Sequence, residues 1–331
     1  MKMFVNDPQQ FVPEMLKGIA LANPDTLRYV PEYNLIMRKD APSEAKVSIV
    51  QGSGSGHEPA HVMIVGKGML DAACPGNVFA APPTDFVTET TKLLNSKMGV
   101  LHIVNNYTGD RLAFEMAKEM SEADGIRVET VFVDDDVSVK DSLYTIGRRG
   151  VAGNFFVIKA VGAAAEHGAS LDELVKLANR VNGVTRTMGM ALTSCTPPAK
   201  GSPLFELGDD EIEMGIGIHG EPGRRREKMM AADAIVDELL EAVVSDLPFQ
   251  KGDRVALMIN GLGGTPISEL YLLYGHAHEE LEKRGMTVVK NYVGEYCTSL
   301  DMAGCSLTLV KLDDGLLDLL NAPAEIAIRT F

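Results

Sequence analysis

Positive charge is scarce in this 331-residue sequence: 31 lysines and arginines stand against 46 aspartates and glutamates, leaving a formal charge of −15 at pH 7. That balance excludes a general nucleic-acid or anionic-membrane surface. Long hydrophobic runs are missing too. The longest candidate, residues 155–165, carries Lys159 and ends at Glu166, well short of the ~20 apolar residues that a bilayer span needs. At the N-terminus, Met1 to Val5 meets Asp7-Pro8 before a secretory leader can form. Cysteine is limited to Cys74, Cys195, Cys297 and Cys305, far apart and without a C-x-x-C pair. This excludes a disulfide scaffold and a thiolate zinc site, and fits buried thiols in a reducing, cytoplasmic compartment. There is no fixed-period repeat, no low-complexity segment, no G-x-x-x-x-G-K-[ST] phosphate loop and no G-x-S-x-G frame for a serine nucleophile.

What is present is the texture of a globular α/β protein: 45% hydrophobic and 23% charged residues, with enough chain for two domains of roughly 150 residues. Apolar runs at 47–50, 100–104 and 128–133 read as strands, and the patterns at 84–94, 110–123 and 154–166 as helices. Ser170 and Glu173 form a capping box opening a helix that stops at Gly183. A Pro-rich stretch, 185–203, follows, so the boundary is set at 183/184. Beyond it, strands are expected at 211–218, 254–259, 288–293 and 307–312, and helices at 225–244 and 266–283. The expected fold class is α/β, with an N-terminal domain 1–183 and a C-terminal domain 184–331, each a mixed sheet flanked by helices.

Of the seven histidines, His57, His61 and His219 sit beside glycines or strand ends. His102 reads as a satisfied core residue, and His167, His276 and His278 as surface positions. His57-Glu58-Pro59-Ala60-His61 fits the letters of a zinc-protease helix, but Pro59 puts His57 in the loop before any helix, where it cannot share a face with His61. The preceding Gly52 to Gly56 run is either an anion- or polyol-binding loop or a tight turn. Gly215 to Gly220 has the letters of a dinucleotide fingerprint, yet Glu221-Pro222-Gly223 delays the helix that should hold the pyrophosphate, leaving His219 presented at a strand end. Asn260 to Pro266 links a strand to a helix as a turn or an anion loop. Asp110 opens a helix just after a strand and by default is its N-cap, but it shares with His57 the carboxyl end of the sheet, where open α/β folds bind ligands. Asp134-Asp135-Asp136 reads as a solvated acidic loop, and Arg224-Arg225-Arg226 as a solvated helix start.

Taken together, Gly54-Ser-Gly-His57-Glu-Pro, Asn106-Tyr-Thr-Gly-Asp110, Arg149-Gly-Val-Ala-Gly153 with Lys159, Gly162-Ala-Ala-Ala-Glu166, Gly217-Ile-His-Gly-Glu-Pro-Gly223 and Asn260-Gly-Leu-Gly-Gly-Thr265 resemble the K subunit of bacterial dihydroxyacetone kinase through nearly the whole chain. The resemblance implies two α/β domains, a homodimer, and a subunit that binds the ketone but not the nucleotide. It implies that an imidazole nitrogen of His219 adds to the substrate carbonyl as a hemiaminal, that Asp110 accepts the proton of the attacking hydroxyl, and that His57 hydrogen-bonds the substrate. Gly54, Ser55 and Gly56 would line the pocket with backbone N–H groups. No metal or cofactor is expected on this chain; ADP or ATP with Mg²⁺ would sit on an L-type partner subunit, recharged by a phosphotransferase-system M subunit. Two positions depart from the family pattern. Asn105 stands where a lysine is usual, and Ala81 where a serine contacts a substrate hydroxyl. Both belong to the substrate-binding set, and they leave open a related ketose such as erythrulose, or a non-catalytic ketone-binding co-activator.

Overall fold

The computed structural model describes residues 2–140, 142 and 145–328; Met1, the first residue of the expected N-terminal domain, and 329–331, the end of the expected second domain, lie outside the described residues. The fold is α/β, built on two six-stranded mixed sheets flanked by helices. In the first, the strand order is Leu27–Val30, Leu35–Arg38, Ala72–Ala73, Ser48–Gln51, Val100–Asn105, Val128–Val133. Its first two pairings are antiparallel and the remaining three parallel. The strand Val100–Asn105, apolar but for His102 and Asn105, is buried at every residue, as a central parallel strand covered on both faces must be.

The second sheet runs Arg225–Lys228, Glu211–Met214, Thr185–Ala191, Gly304–Leu312, Arg254–Gly261, Thr287–Gly294, with only the last pair parallel. The division we propose at 183/184 follows these sheets. One core nevertheless spans both: helix Asn154–Glu166 is buried at eleven of its thirteen residues, and its cluster joins Ile49 and Leu101 of the first sheet to Ala256, Met258 and Val310 of the second. A helix apolar on all sides can only sit inside. Lys159, the charge within it, donates to Leu319 C=O at 2.8 Å, at the carboxyl end of helix Asp314–Asn321, where a cation is favoured.

Gly162 lets that helix close on the loop beneath. A methyl group there would come within 2.5 Å of Met69 Cα and 2.6 Å of Gly68 O, both main chain. Alanine is the better helix former by about 1 kcal/mol, yet Gly162→Ala is expected to lose about 1–3 kcal/mol of stability through overpacking, read as a lower denaturant midpoint.

Three local expectations differ. The strand expected over 211–218 ends at Met214, because Gly215 turns the chain with φ +80°. Residues 225–228, expected to open a helix, form an edge strand, and the helix is Ala232–Asp246. Arg226 and Lys228 there pair with Glu213 and Asp210 at 3.3 and 2.6 Å, while Arg224 donates to the carbonyls of Val137 and Ser138; a charged edge also discourages further strand addition. Finally, 134–136 is not a solvated loop. Asp135 is buried and accepts the N–H groups of Val151 and Gly153 at 2.9 and 2.8 Å, and Asp136 pairs with buried Arg149 at 2.7 Å. No helix among the described residues is long and apolar enough to cross a membrane.

Candidate active site

Two strands of the first sheet, Ser48–Gln51 and Val100–Asn105, end side by side, and the segments leaving them carry His57 and Asp110. From the second sheet, the turn after Met214 brings His219 to the same place. A cavity of about 510 Å³ opens there, with Gly54, Phe79, Ala81, Tyr107, Asp110 and His219 in its wall.

His219 lines this cavity, while His57 is fully buried and outside the residues that line it, touching His219 from behind. His57 Nε2 lies 3.0 Å from His219 Nε2, and His57 Nδ1 is 2.8 Å from the carbonyl oxygen of Thr298. Phe79 stacks on the His57 ring at 5.1 Å between centroids, and Tyr107 sets its edge against His219 at 4.6 Å. Complete burial, reinforced by the neighbouring His219 and His61 rings, pushes His57 well below the usual histidine range. His219 Nδ1 faces Glu221 Oε1 at 2.9 Å.

Asp110 is the third residue of helix Thr108–Ala123. It does not cap that helix. Its Oδ2 accepts the Ser53 hydroxyl at 3.1 Å, while Oδ1 has no hydrogen-bond partner among the described residues. Burial pushes this carboxyl up to about 7, against the opposing pull of His219 and Ser53. A buried carboxylate with a vacant lone pair, facing a cavity and titrating near neutrality, is suited to take a proton.

The other expected site residues divide. Gly54 and Ala81 are on the wall. Gly56 N–H turns away to the Glu58 carboxylate at 3.0 Å, and the Ser55 hydroxyl donates to Gly76 C=O at 2.8 Å; both belong to the scaffold behind the wall. Asn105 is buried and accepts the Asn154 amide at 3.0 Å, outside the residues that line the cavity. The glycines of this loop permit close main-chain approach: a methyl group at Gly52 would lie 2.4 Å from Cys74 O, and one at Gly54 2.7 Å from Ala80 N.

His61 does not join His57 as a metal pair. It precedes a single 3-10 turn, Val62–Ile64, its ring centroid is 6.3 Å from that of His57, and burial drives it down to about 3. Nor does Gly215 to Gly220 fit a pyrophosphate. No helix follows Gly220 to present its N-terminus, because the chain runs on into the edge strand Arg225–Lys228. Asn260 is a structural clasp, its side chain bonding the N–H groups of Tyr296 and Cys297 and the Cys297 carbonyl.

Several functional positions carry no signal in the sequence. Thr298 holds His57 across 241 residues, and Pro197, Ala199, Lys200 and Leu204 of the Pro-rich stretch form part of the cavity wall. Glu221 is legible only as a letter in its glycine-rich motif.

The Dak1 domain pattern matches residues 17–328. The chain belongs to the Dak1 domain family. It is 48% identical over 326 residues to the "PTS-dependent dihydroxyacetone kinase 1, dihydroxyacetone-binding subunit DhaK" of Listeria innocua, covering 98% of this chain and 99% of that protein. Among solved Dak1 structures, dihydroxyacetone kinase from C. freundii in complex with AMP-PNP and Mg²⁺ superposes with a TM-score of 0.90 at 33% identity, over 99% of this chain and 60% of the other. A dihydroxyacetone kinase operon co-activator, Dha-DhaQ, superposes with a TM-score of 0.89 at 38% identity, over 94% and 96% of the two chains.

Proposed function

We propose that this chain is the substrate-binding subunit of a dihydroxyacetone kinase, which binds the ketone covalently on His219 and presents its hydroxyl to Asp110 for phosphoryl transfer. The observation that carries this reading is the convergence of His219 and Asp110 on one cavity wall, with His57 Nε2 3.0 Å from His219. The names of the full-length relatives support it. A ring nitrogen of His219 attacks the carbonyl carbon, a C–N bond forms, and the π pair moves to oxygen. His57 passes the proton shared by the two imidazoles to that oxygen, giving the neutral hydroxyl of a hemiaminal. A polyol such as glycerol offers no carbonyl and is rejected at this step.

Asp110 then takes the proton of the terminal hydroxyl as it attacks the donor phosphoryl group. Little else is required of this chain, because phosphoryl transfer is largely positioning and charge stabilisation. The donor nucleotide, ADP or ATP with Mg²⁺, is held by an L-type partner, which a phosphotransferase-system M subunit recharges, and the chain acts as a cytoplasmic homodimer. Ala81 gives the wall no hydroxyl, so a longer ketose such as erythrulose is the alternative substrate. The likeness to Dha-DhaQ favours a second reading, a ketone-binding co-activator, which would need His219 but no base.

The test is phosphorylation of dihydroxyacetone, erythrulose and glycerol by the chain reconstituted with a nucleotide-bearing L-type subunit. Turnover of a ketone and none of glycerol is expected; ketone binding without turnover would favour the co-activator. The same assay should show kcat/KM rising with pH through about 7. Asp110 titrates there and acts only when ionised, so each pH unit below that value removes about tenfold.

A further inference from the structure

Resting on that reading of His219, we propose that Glu221 is a positioning residue: it holds the imidazole with its proton on Nδ1, so that Nε2 is the nitrogen that bonds the ketone, and it remains as the counter-charge of the adduct.

Glu221 grips residue 219 twice. Its Oε1 is 2.9 Å from Nδ1 and its Oε2 accepts the backbone N–H at 2.9 Å. The carboxylate is 1% exposed. Burial alone would raise it, but the His219 ring, the hydrogen bond and Arg149 together bring it down to about 2, so it accepts and does not donate. Nδ1 of His219 must therefore carry the proton.

The same logic applies across the contact. Thr298 C=O is an acceptor only, so His57 is also protonated on Nδ1. Two Nε2 lone pairs would then face each other at 3.0 Å, and a further proton sits between them. On ketone addition that proton moves to His57 and on to the carbonyl oxygen while the C–N bond forms. The ring left behind is cationic and still donates Nδ1–H to Glu221; total charge is unchanged.

Behind Glu221 stands a buried cation that the reaction itself does not use. Arg149 is fully buried, bonded to Asp136 through Nε at 2.7 Å and to Gly215 C=O through Nη2 at 2.8 Å. Its Nη1 has no hydrogen-bond partner among the described residues and reaches the space beside Gly217 that the Glu221 carboxylate also occupies. A Cβ on Gly217 would lie 2.1 Å from Glu221 Oε2 and 2.7 Å from Nη1. Asp136, Arg149, Glu221 and the imidazole pair thus form a chain of alternating sign that ends on the His219 nitrogen facing the ketone.

The test is nitrogen-15 spectroscopy of the imidazoles in the full-length chain, with and without dihydroxyacetone, for wild type and Glu221→Gln. Wild-type His219 should show a protonated Nδ1 before ketone is added and an alkylated Nε2 after. Glu221→Gln should shift the ring toward the Nε2–H tautomer and weaken ketone affinity by about 10–100-fold, by analogy with the loss of a carboxylate that orients a metal-bound histidine. An unchanged tautomer with wild-type affinity in Glu221→Gln would overturn the role of Glu221 while leaving the covalent anchor intact. A wild-type spectrum with Nδ1 of His219 unprotonated, or with alkylation at Nδ1, would overturn it without recourse to any variant. Absence of any alkylated nitrogen in the wild type, despite ketone binding, would instead sink the hemiaminal reading, and the tautomer of the free ring would still report on Glu221.

Discussion

Asp110→Asn is expected to lower kcat by about 10²–10⁴-fold, the usual contribution of a positioned base, with ketone affinity close to that of wild type. The amide is isosteric and its oxygen can still accept the Ser53 hydroxyl that Asp110 Oδ2 accepts at 3.1 Å, so the wall keeps its shape and only the proton acceptor is lost. Stability should move in the opposite sense to activity. The folded-state value of this carboxyl is raised from 3.8 to about 7, chiefly by burial. The stability that the neutral form contributes is therefore full below about 3.8 and lost as pH rises through about 7. A neutral amide escapes that loss, and at pH 8 the variant should melt no lower than wild type. Calorimetric titration of the ketone, single-turnover kinetics with the charged L-type subunit and a melting curve together check this. Loss of affinity comparable to the loss of kcat would show that Asp110 binds substrate instead of taking its proton.

His219→Ala has the second large effect. Dihydroxyacetone affinity should fall by about 100-fold or more, a difference of about 2.7 kcal/mol, and selectivity for a carbonyl compound over glycerol should vanish, because in the proposed mechanism selectivity resides in the bond that the imidazole forms. Truncation also strips the buried Glu221 carboxylate of its Nδ1–H partner at 2.9 Å, and breaking a buried pair can cost about 3–5 kcal/mol. His219→Asn supplies the control, since its amide can donate to Glu221 yet cannot add to a ketone. Titrations of ketone and glycerol into both variants decide the matter. Carbonyl-selective binding that survives in either would remove His219 as the anchor.

The parts of this architecture legible in the sequence are those set by neighbours along the chain. The largely apolar run at 100–104 reads as a strand, the Ser170 and Glu173 pair forms a capping box, and His57, Asp110 and His219 stand out because each follows a strand end beside glycine. Where partners come from afar, local reading fails for a definite reason. Charge at 134–136 suggested water, but Asp135 and Asp136 are neutralised by main-chain N–H groups and an arginine further along the chain. The charged residues 225–228 read as the start of a helix, but they pair as a strand with 211–214, and Glu213 and Asp210 supply acidic partners to Arg226 and Lys228. Asn105 has the right position in its motif, yet its side chain is drawn back to Asn154, a partner that no spacing rule brings next to it.

The buried helix Asn154–Glu166 also bears on how the active site can come apart. Because its side chains belong at once to the cores under both sheets, neither sheet can melt without exposing the other's apolar face. The histidine from one half and the aspartate from the other are thus bound to a single cooperative transition. Local breathing, the ordinary route by which a ligand trapped at a domain seam escapes, is suppressed between the halves. A ketone would then come and go through the mouth formed by the loops, and the reversible covalent bond we propose for His219 suits a pocket held between two halves that share a core.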